Sequence, residues 1–228
     1  MPLNVIMMGP PGAGKGTQAE RFARERGLLK VSTGDILREA VQSQTPLGLK
    51  AKAIIDAGKL VDDATMIEIV RVRLLQPDAM RGFVLDGFPR TVAQAEALDA
   101  IMAERDGGPL IVVEVVVPQA ELVRRLGSRR ICGSCGANAD PFDGGANNRC
   151  KRCGGEFVQR SDDSSDEVVL KRLRIYERDT KPLVEYYKDR PTFRTVNGAQ
   201  APERVATELD AAIEAAAAAG ESAMRQRL

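Results

Sequence analysis

Four stretches of the chain are apolar without helical spacing: LNVIMMG, GFVLDGF, LIVVEVVVP and TFRTVNG, beginning at residues 3, 82, 110 and 192. Runs of this length with little alternation predict strands buried on both faces. Between them the apolar positions recur at three and four, over GKGTQAERFARERG (residues 14–27), Ala64–Gln76, Val92–Arg105 and Asp166–Lys188, which predicts helices. Strands alternating with helices imply an α/β fold, a parallel sheet covered on both faces, with ligands at the carboxyl ends of the strands. Two segments break the alternation and read as insertions. Residues 32–61 carry helical pattern without a strong strand run, and residues 129–164 are rich in Gly, Asn, Asp and Cys. Near the C-terminus, Val205, Leu209 and Ile213 mark one helix face. Gly220 is the expected end cap, and residues 221–228 are expected to form a mobile tail.

Composition narrows the setting. The 228 residues are 43% hydrophobic and 29% charged, with 33 basic and 32 acidic side chains, a balance that gives no reason to expect a nucleic acid or an anionic membrane as partner. No apolar run approaches the roughly 18 residues of a membrane span. The opening MPLNVIMMG is too short for a secretory signal and runs straight into a glycine loop, so a cytoplasmic location is expected.

That loop, GPPGAGKGT from Gly9 to Thr17, has the glycines and lysine of a phosphate-binding loop between a predicted strand and a predicted helix. Backbone amides there point at phosphates from a helix N-terminus, and Lys15 adds a point charge. The alternative is a structural glycine turn. Gly16 stands where Ser or Thr usually follows the lysine, and the hydroxyl comes one place later at Thr17. Asp86, ending an apolar strand, is then the expected partner of a magnesium ion; a cap is its plainer role. Asp35, just before ILREAV, is expected to be a helix cap. Arg38, Arg90, Arg125, Arg129, Arg160 and Arg172 are candidates for a cage of planar cations around phosphates. The chain has no histidine. This suits a phosphate acceptor, which is already largely ionised near neutrality and needs no base.

All four cysteines lie in the second insertion as two C-x-x-C pairs, Cys132/Cys135 and Cys150/Cys153, separated by fourteen residues. The spacing suits a tetrahedral structural zinc with four thiolates, stapling a segment too poor in apolar residues to fold alone. Disulfides are the alternative, disfavoured in a reducing compartment; iron can also occupy four thiolates.

GPPGAGKGT, STGDILR, GKLV, LDGFPR with Gln94, and RSDD followed by Lys171–Arg172 together resemble the adenylate kinase family, in the family's order and over nearly the whole chain. The family also has glycine after the loop lysine. The resemblance implies a P-loop NTPase-type five-stranded parallel sheet. Its core would comprise residues 1–31, 62–128 and 165–220, with a helical monophosphate-binding insert at 32–61 and a zinc-bearing lid at 129–164. It implies reversible transfer from ATP to AMP, giving two ADP, with magnesium, in a monomer. Gly12, Ala13, Gly14, Lys15, Gly16 and Thr17 would wrap the ATP phosphates, with Arg125, Arg129, Asn138 and Gln200 as further ATP contacts. AMP would be held by Thr33, Arg38, Arg90 and Gln94 and by the backbone of Lys59, Leu60, Val61, Gly87, Phe88 and Pro89, with Arg160 and Arg172 reaching across from the lid. Lys15, Asp86, Arg90, Arg125, Arg129, Arg160 and Arg172 would carry catalysis. Asp162 and Asp163 match the family's acidic pair and would orient the lid. The lid departs from the family's pattern in a shorter loop between knuckles, in GANADPF after the second cysteine, and in one extra residue before Arg172.

Two rivals remain. A UMP/CMP kinase shares the fold, but such relatives tend to read SAGD where this chain has STGD, and carry a short lid without knuckles. A zinc-knuckle nucleic-acid module would use RRLGSRR and RCKRC, but acidic residues interleave with the basic ones and only Phe142 and Phe157 could stack on bases.

Overall fold

The computed structural model describes residues 2–105, 108–139 and 149–225; Asp140, Phe142 and Asp143 lie outside the described residues. The strands are β1 (Leu3–Met8), β2 (Leu29–Ser32), β3 (Gly82–Asp86), β4 (Leu110–Val116), β5 (Arg130–Cys132), β6 (Phe157–Gln159) and β7 (Phe193–Asn197). Five of them form one parallel sheet in the order β2-β3-β1-β4-β7, while β5 and β6 pair antiparallel within the second insertion. The helices are α1 (Lys15–Arg26), α2 (Thr33–Gln42), α3 (Pro46–Asp56), α4 (Asp63–Leu74), α5 (Val92–Glu104), α6 (Gln119–Ser128), α7 (Asp166–Ile175), α8 (Pro182–Tyr187) and α9 (Pro202–Arg225).

The unbroken apolar runs have a simple cause. Successive side chains of β1 point to opposite faces, and both faces are covered. Ile6 and Met8 pack with Phe83, Leu85, Leu98 and Tyr187 on one side, against α4, α5 and α8. Val5 and Met7 pack with Phe22, Leu209 and Ile213 on the other, against α1 and α9. Each such fully buried side chain contributes about 1.5–3 kcal/mol over leaving it in water. A third cluster, with Ala13, Val115, Leu122, Leu126 and Leu173, seats α6 and α7 beside the glycine loop. Arg21 and Arg26 reach from α1 to Asp210 on α9, at 2.7 and 3.5 Å.

The four strand runs and the helices that separate them are where the apolar pattern puts them, with four differences. β2 is a fifth strand with no strong signal, because it is only four residues long, half of them partly exposed. The long helix expected over 166–188 is broken: after Ile175 the chain makes a π turn over Tyr176–Thr180 before α8 starts. Pro182, with no N–H to give to the turn below, opens the new helix. Asp35 is not the cap of α2; Ser32 is, accepting from the Asp35 amide at 3.3 Å. Finally, α9 does not end at Gly220 but continues to Arg225, so residues 221–225 are helical. Gly220 is buried, and a Cβ there would meet Pro109 and Thr192 at 2.9 Å. Its smallness lets α9 approach the sheet; it is not a stop signal.

The two insertions stand at the carboxyl edge of the sheet, and Leu37 and Ala51 of the first pack into the same apolar cluster as Ile6 and Phe83. The first is the helical hairpin α2–α3, with Thr45 capping α3. The second is the β5–β6 hairpin with its cysteine turns. The carboxamide of Gln42 at the end of α2 donates to the Ser134 carbonyl at 2.8 Å, so the two insertions meet.

Candidate active site

The carboxyl ends of β1, β2, β3 and β7, the two insertions, α6 and the last turn of α7 enclose one cavity of about 730 Å³. Every nucleotide-site residue expected from the sequence lines it, except Phe88. The Phe88 side chain, 1% exposed, packs into the core, anchoring the turn that carries Gly87, Pro89 and Arg90 into the cavity.

At the floor lies the glycine loop. Gly12 and Gly14 take left-handed conformations, φ 85° and 92°, open to glycine without strain, and α1 begins at Lys15, so its first turn lines the cavity. Lys15 donates to the Pro10 carbonyl at 2.8 Å, curling back over the loop. Burial pulls its ammonium down to about 8 despite the opposing charge of Asp86, with Arg90, Arg129 and Arg172 acting in the same direction as burial. Asp86 ends β3 directly beside β1, in register with Met7. The residue between the lysine and the threonine can now be understood: a Cβ on Gly16 would stand 3.1 Å from a carboxylate oxygen of Asp86. Glycine there leaves Asp86 and the hydroxyl of Thr17 facing the same space.

The six arginines converge from different elements. Arg90 donates through Nε to the Gly87 carbonyl at 2.8 Å, and Thr33 donates to the same oxygen at 2.9 Å. Arg38 pairs with Asp35, whose other oxygen takes Lys30 at 3.2 Å. Arg125 is held by Glu121 at 2.7 Å. Arg129, Arg160 and Arg172 share Asp162 and Asp163, both buried. Arg160 forks onto Asp162 at 2.8 and 2.5 Å, Arg129 reaches Asp163 at 2.7 Å, and Arg172 contacts Asp163 and donates to the Asp162 carbonyl at 2.8 Å. Burial alone would raise the Asp162 carboxyl; Arg160, Arg172 and Arg129 outweigh it and hold it well below the usual carboxylate range. Burial lowers Arg129 to about 10, with Arg160 adding to the effect. These cations are concentrated where their mutual repulsion is incompletely cancelled, so the cavity favours a polyanion.

Asn138 from the second insertion and Gln200 after β7 also line the cavity, Gln200 donating to the Asn197 carbonyl at 3.1 Å and to Glu208 at 2.8 Å. Sequence reasoning did not single out Lys30, Asp63 or Glu121. Each lies on a helix or strand without a motif of its own and gains its role only from a partner elsewhere, Asp35, Gln94 and Arg125 respectively.

The four cysteine sulfurs lie within 4.8 Å of one another, Cys132 and Cys153 at 3.4 Å and Cys135 and Cys150 at 3.6 Å. Four thiolates at about 2.3 Å from a tetrahedral ion would stand about 3.8 Å apart, so the cluster can hold a metal ion. The two turns are built alike. Gly136 donates to the Cys132 carbonyl at 2.9 Å and Gly154 to that of Cys150 at 2.7 Å, each glycine with φ above 70°. Amide donation from Cys135 and Ser134 lowers the Cys132 thiol. At Cys153 the Gly155 amide acts the same way, but the neighbours Cys135, Cys132 and Cys150 push the thiol up, because crowded thiols do not all ionise without a cation among them.

A family model for adenylate kinase matches residues 7–192. The chain belongs to the adenylate kinase family. Similar curated proteins are an adenylate kinase of Archaeoglobus fulgidus, 48% identical over 217 residues covering 93% of this chain and 98% of that one, and one of Symbiobacterium thermophilum, 46% identical over 218 residues covering 93% and 99%. A third, from Carboxydothermus hydrogenoformans, is 45% identical over 222 residues, covering 93% of this chain and all of the relative. Membership makes the chain an enzyme, a phosphotransferase of the nucleoside monophosphate kinase class that interconverts ATP plus AMP with ADP. No helix among the described residues is long and apolar enough to cross a membrane.

Proposed function

We propose that the cavity holds ATP and AMP end to end and that this chain catalyses transfer between them by positioning and charge cancellation alone. Gly12 to Thr17 bind the ATP phosphates, with Arg125, Arg129, Asn138 and the backbone at Gln200 completing that subsite. Thr33, Arg38, Lys59 to Val61, Gly87 to Arg90 and Gln94 bind AMP. The observation that carries this reading is the convergence of Lys15 and six arginines on one cavity between the glycine loop and the first insertion. An in-line displacement between two phosphates brings several negative charges together, and fixed cations aimed at them lower the barrier without covalent chemistry. The acceptor oxygen of AMP is already ionised, so no base is required. No histidine exists in the chain to serve as one.

Magnesium arriving with ATP would be held by the hard oxygen donors Asp86 and Thr17, in part through its own waters, and would neutralise phosphate charge. The cysteine cluster would hold zinc with all four positions filled, a structural role without open coordination. Residues 1–31, 62–128 and 165–220 serve as the core, with 32–61 and 129–164 closing over AMP and ATP to exclude water. The enzyme works as a cytoplasmic monomer without nucleic-acid or membrane partners. Phosphoryl transfer from ATP to a panel of AMP, UMP and CMP tests the reading. ADP is expected to form fastest with AMP, and ATP to be hydrolysed far more slowly when no acceptor is present. Equal ATP loss with and without AMP, or preference for UMP or CMP, would contradict it.

A further inference from the structure

The carboxamide of Gln94 is 2% exposed and lines the cavity. It is held at both ends. Its Nε2 donates to Asp63 Oδ1 at 2.8 Å, and its Oε1 accepts from the Arg90 amide at 2.8 Å. Neither partner tolerates the reverse orientation, since a carboxylate only accepts and a backbone N–H only donates. Asp63 is itself fixed. Its other oxygen accepts from the Thr91 hydroxyl at 2.9 Å, and that hydroxyl accepts from the Gln94 amide at 3.2 Å as the cap of α5. The network joins the first turns of α4 and α5, two elements that meet only in the folded chain.

A primary amide has two N–H donors and two acceptor lone pairs. Asp63 takes one donor and the Arg90 amide occupies one lone pair. One N–H and one lone pair remain for a ligand. That pattern matches a base edge offering an acceptor beside an amino donor, as N1 and the 6-amino group of adenine do. A 6-oxopurine held in the same place carries the two in reverse order, a carbonyl oxygen where adenine has its amino group and an N–H where adenine has its bare ring nitrogen, so it would meet acceptor with acceptor and donor with donor. Turned over, the same carboxamide would accept the oxopurine equally well. We propose that Asp63 is a specificity-determining positioning residue, locking Gln94 in the orientation that selects an amino-purine monophosphate over its 6-oxo counterpart. The inference rests on the proposed reading of Gln94 as an AMP contact, and takes that contact to be with the base.

The test compares AMP with inosine monophosphate, which differ at this edge alone, as acceptors from ATP. Asp63→Asn replaces an acceptor-only group by one that can donate or accept, so the Arg90 amide alone opposes the turned orientation of Gln94 and the lock is weakened. The ratio of kcat/KM for AMP to that for inosine monophosphate is expected to fall roughly three- to tenfold, mainly through KM, with the KM for ATP within about twofold of the parent. Asp63→Glu, again acceptor-only, is expected to restore most of the ratio. If Asp63→Asn does not fold, Asp63→Ser, a residue suited to a helix start, is expected to show the same loss. A purely structural role would lower thermal stability and weaken both acceptors equally, leaving the ratio unchanged. Gln94→Glu separates the two levels of the argument. If Gln94→Glu keeps the parent KM for AMP, the reading of Gln94 fails and the proposal with it. If Gln94→Glu weakens AMP while Asp63→Asn and Asp63→Ser keep the parent ratio, the proposal alone is overturned.

Discussion

Lys15 shows how far a single side chain departs from its ordinary chemistry in this site. Burial brings its ammonium down to about 8, so near that pH a good part of it is neutral. A polyanion favours the charged form, and binding must then draw a proton from solution. Calorimetric titration with ATP at pH 8 in two buffers of different ionisation enthalpy is expected to reveal uptake of up to about half a proton, with affinity falling as pH rises further. Release, or no exchange at all, would contradict the assignment. The effect on folding has the opposite sign. Between about 8 and the ordinary lysine value of 10.5 the folded state holds fewer protons at this group than the unfolded chain, so its contribution to stability increases with pH over that window. At this scale the sequence was informative wherever one residue type at one spacing implies a role. Lys15 follows from the glycine loop and the thiols from their pairing. Asp63 was not legible, because its meaning lies in a carboxamide 31 residues away. Asp35 was misread for a related reason: a short acidic residue at a helix start can cap it or pair with Arg38, and only the backbone of Ser32 decides.

Among the elements, the lid depends most on something other than packing. From Arg129 to Ser164, Cys132 and Cys150 are the only buried apolar side chains among the described residues, and Val158 of β6 is 46% exposed. The thiols are the lid's core, and a hairpin of two three-residue strands is not stable alone. A Cys135→Ser variant is therefore expected to purify with less than stoichiometric metal and to lose amide-exchange protection in β5 and β6, while β1 and β3 keep theirs. Unchanged protection in β5 and β6 without metal would show that the ion is not their staple. Elements were legible where buried positions recur at helical spacing, as Met66, Val70 and Leu74 do in α4, or where an apolar run is unbroken, as in β4. They were not where tertiary contacts supply what the sequence lacks. β2 becomes a strand by pairing with β3, and α9 passes Gly220 because the sheet lies too close for a side chain. A continuous helical pattern over 166–188 concealed a π turn, whose cause, Pro182, was visible but could equally have closed the helix.

For the molecule as a whole, three apolar clusters fix a rigid sheet, and the charged machinery is concentrated along one edge of it. The net charge of +1 hides this, since acidic partners hold several of the arginines that face the cavity. Asp162 and Asp163 keep Arg129, Arg160 and Arg172 ordered before any nucleotide arrives, so less of the cost of arranging the cage falls on the moment of transfer. The fold class and the glycine loop could be read directly from pattern. The pairing of cations with placeholder carboxylates could not, since it requires β3, the lid and α7 to be assembled. The central claim is that fixed cations make the transfer possible, and steady-state turnover of Arg90→Ala with ATP and AMP tests it most directly. The account predicts a fall in kcat of at least about a hundredfold in a protein whose melting temperature and far-ultraviolet spectrum match the parent's. Parent-level turnover in that folded variant would contradict it.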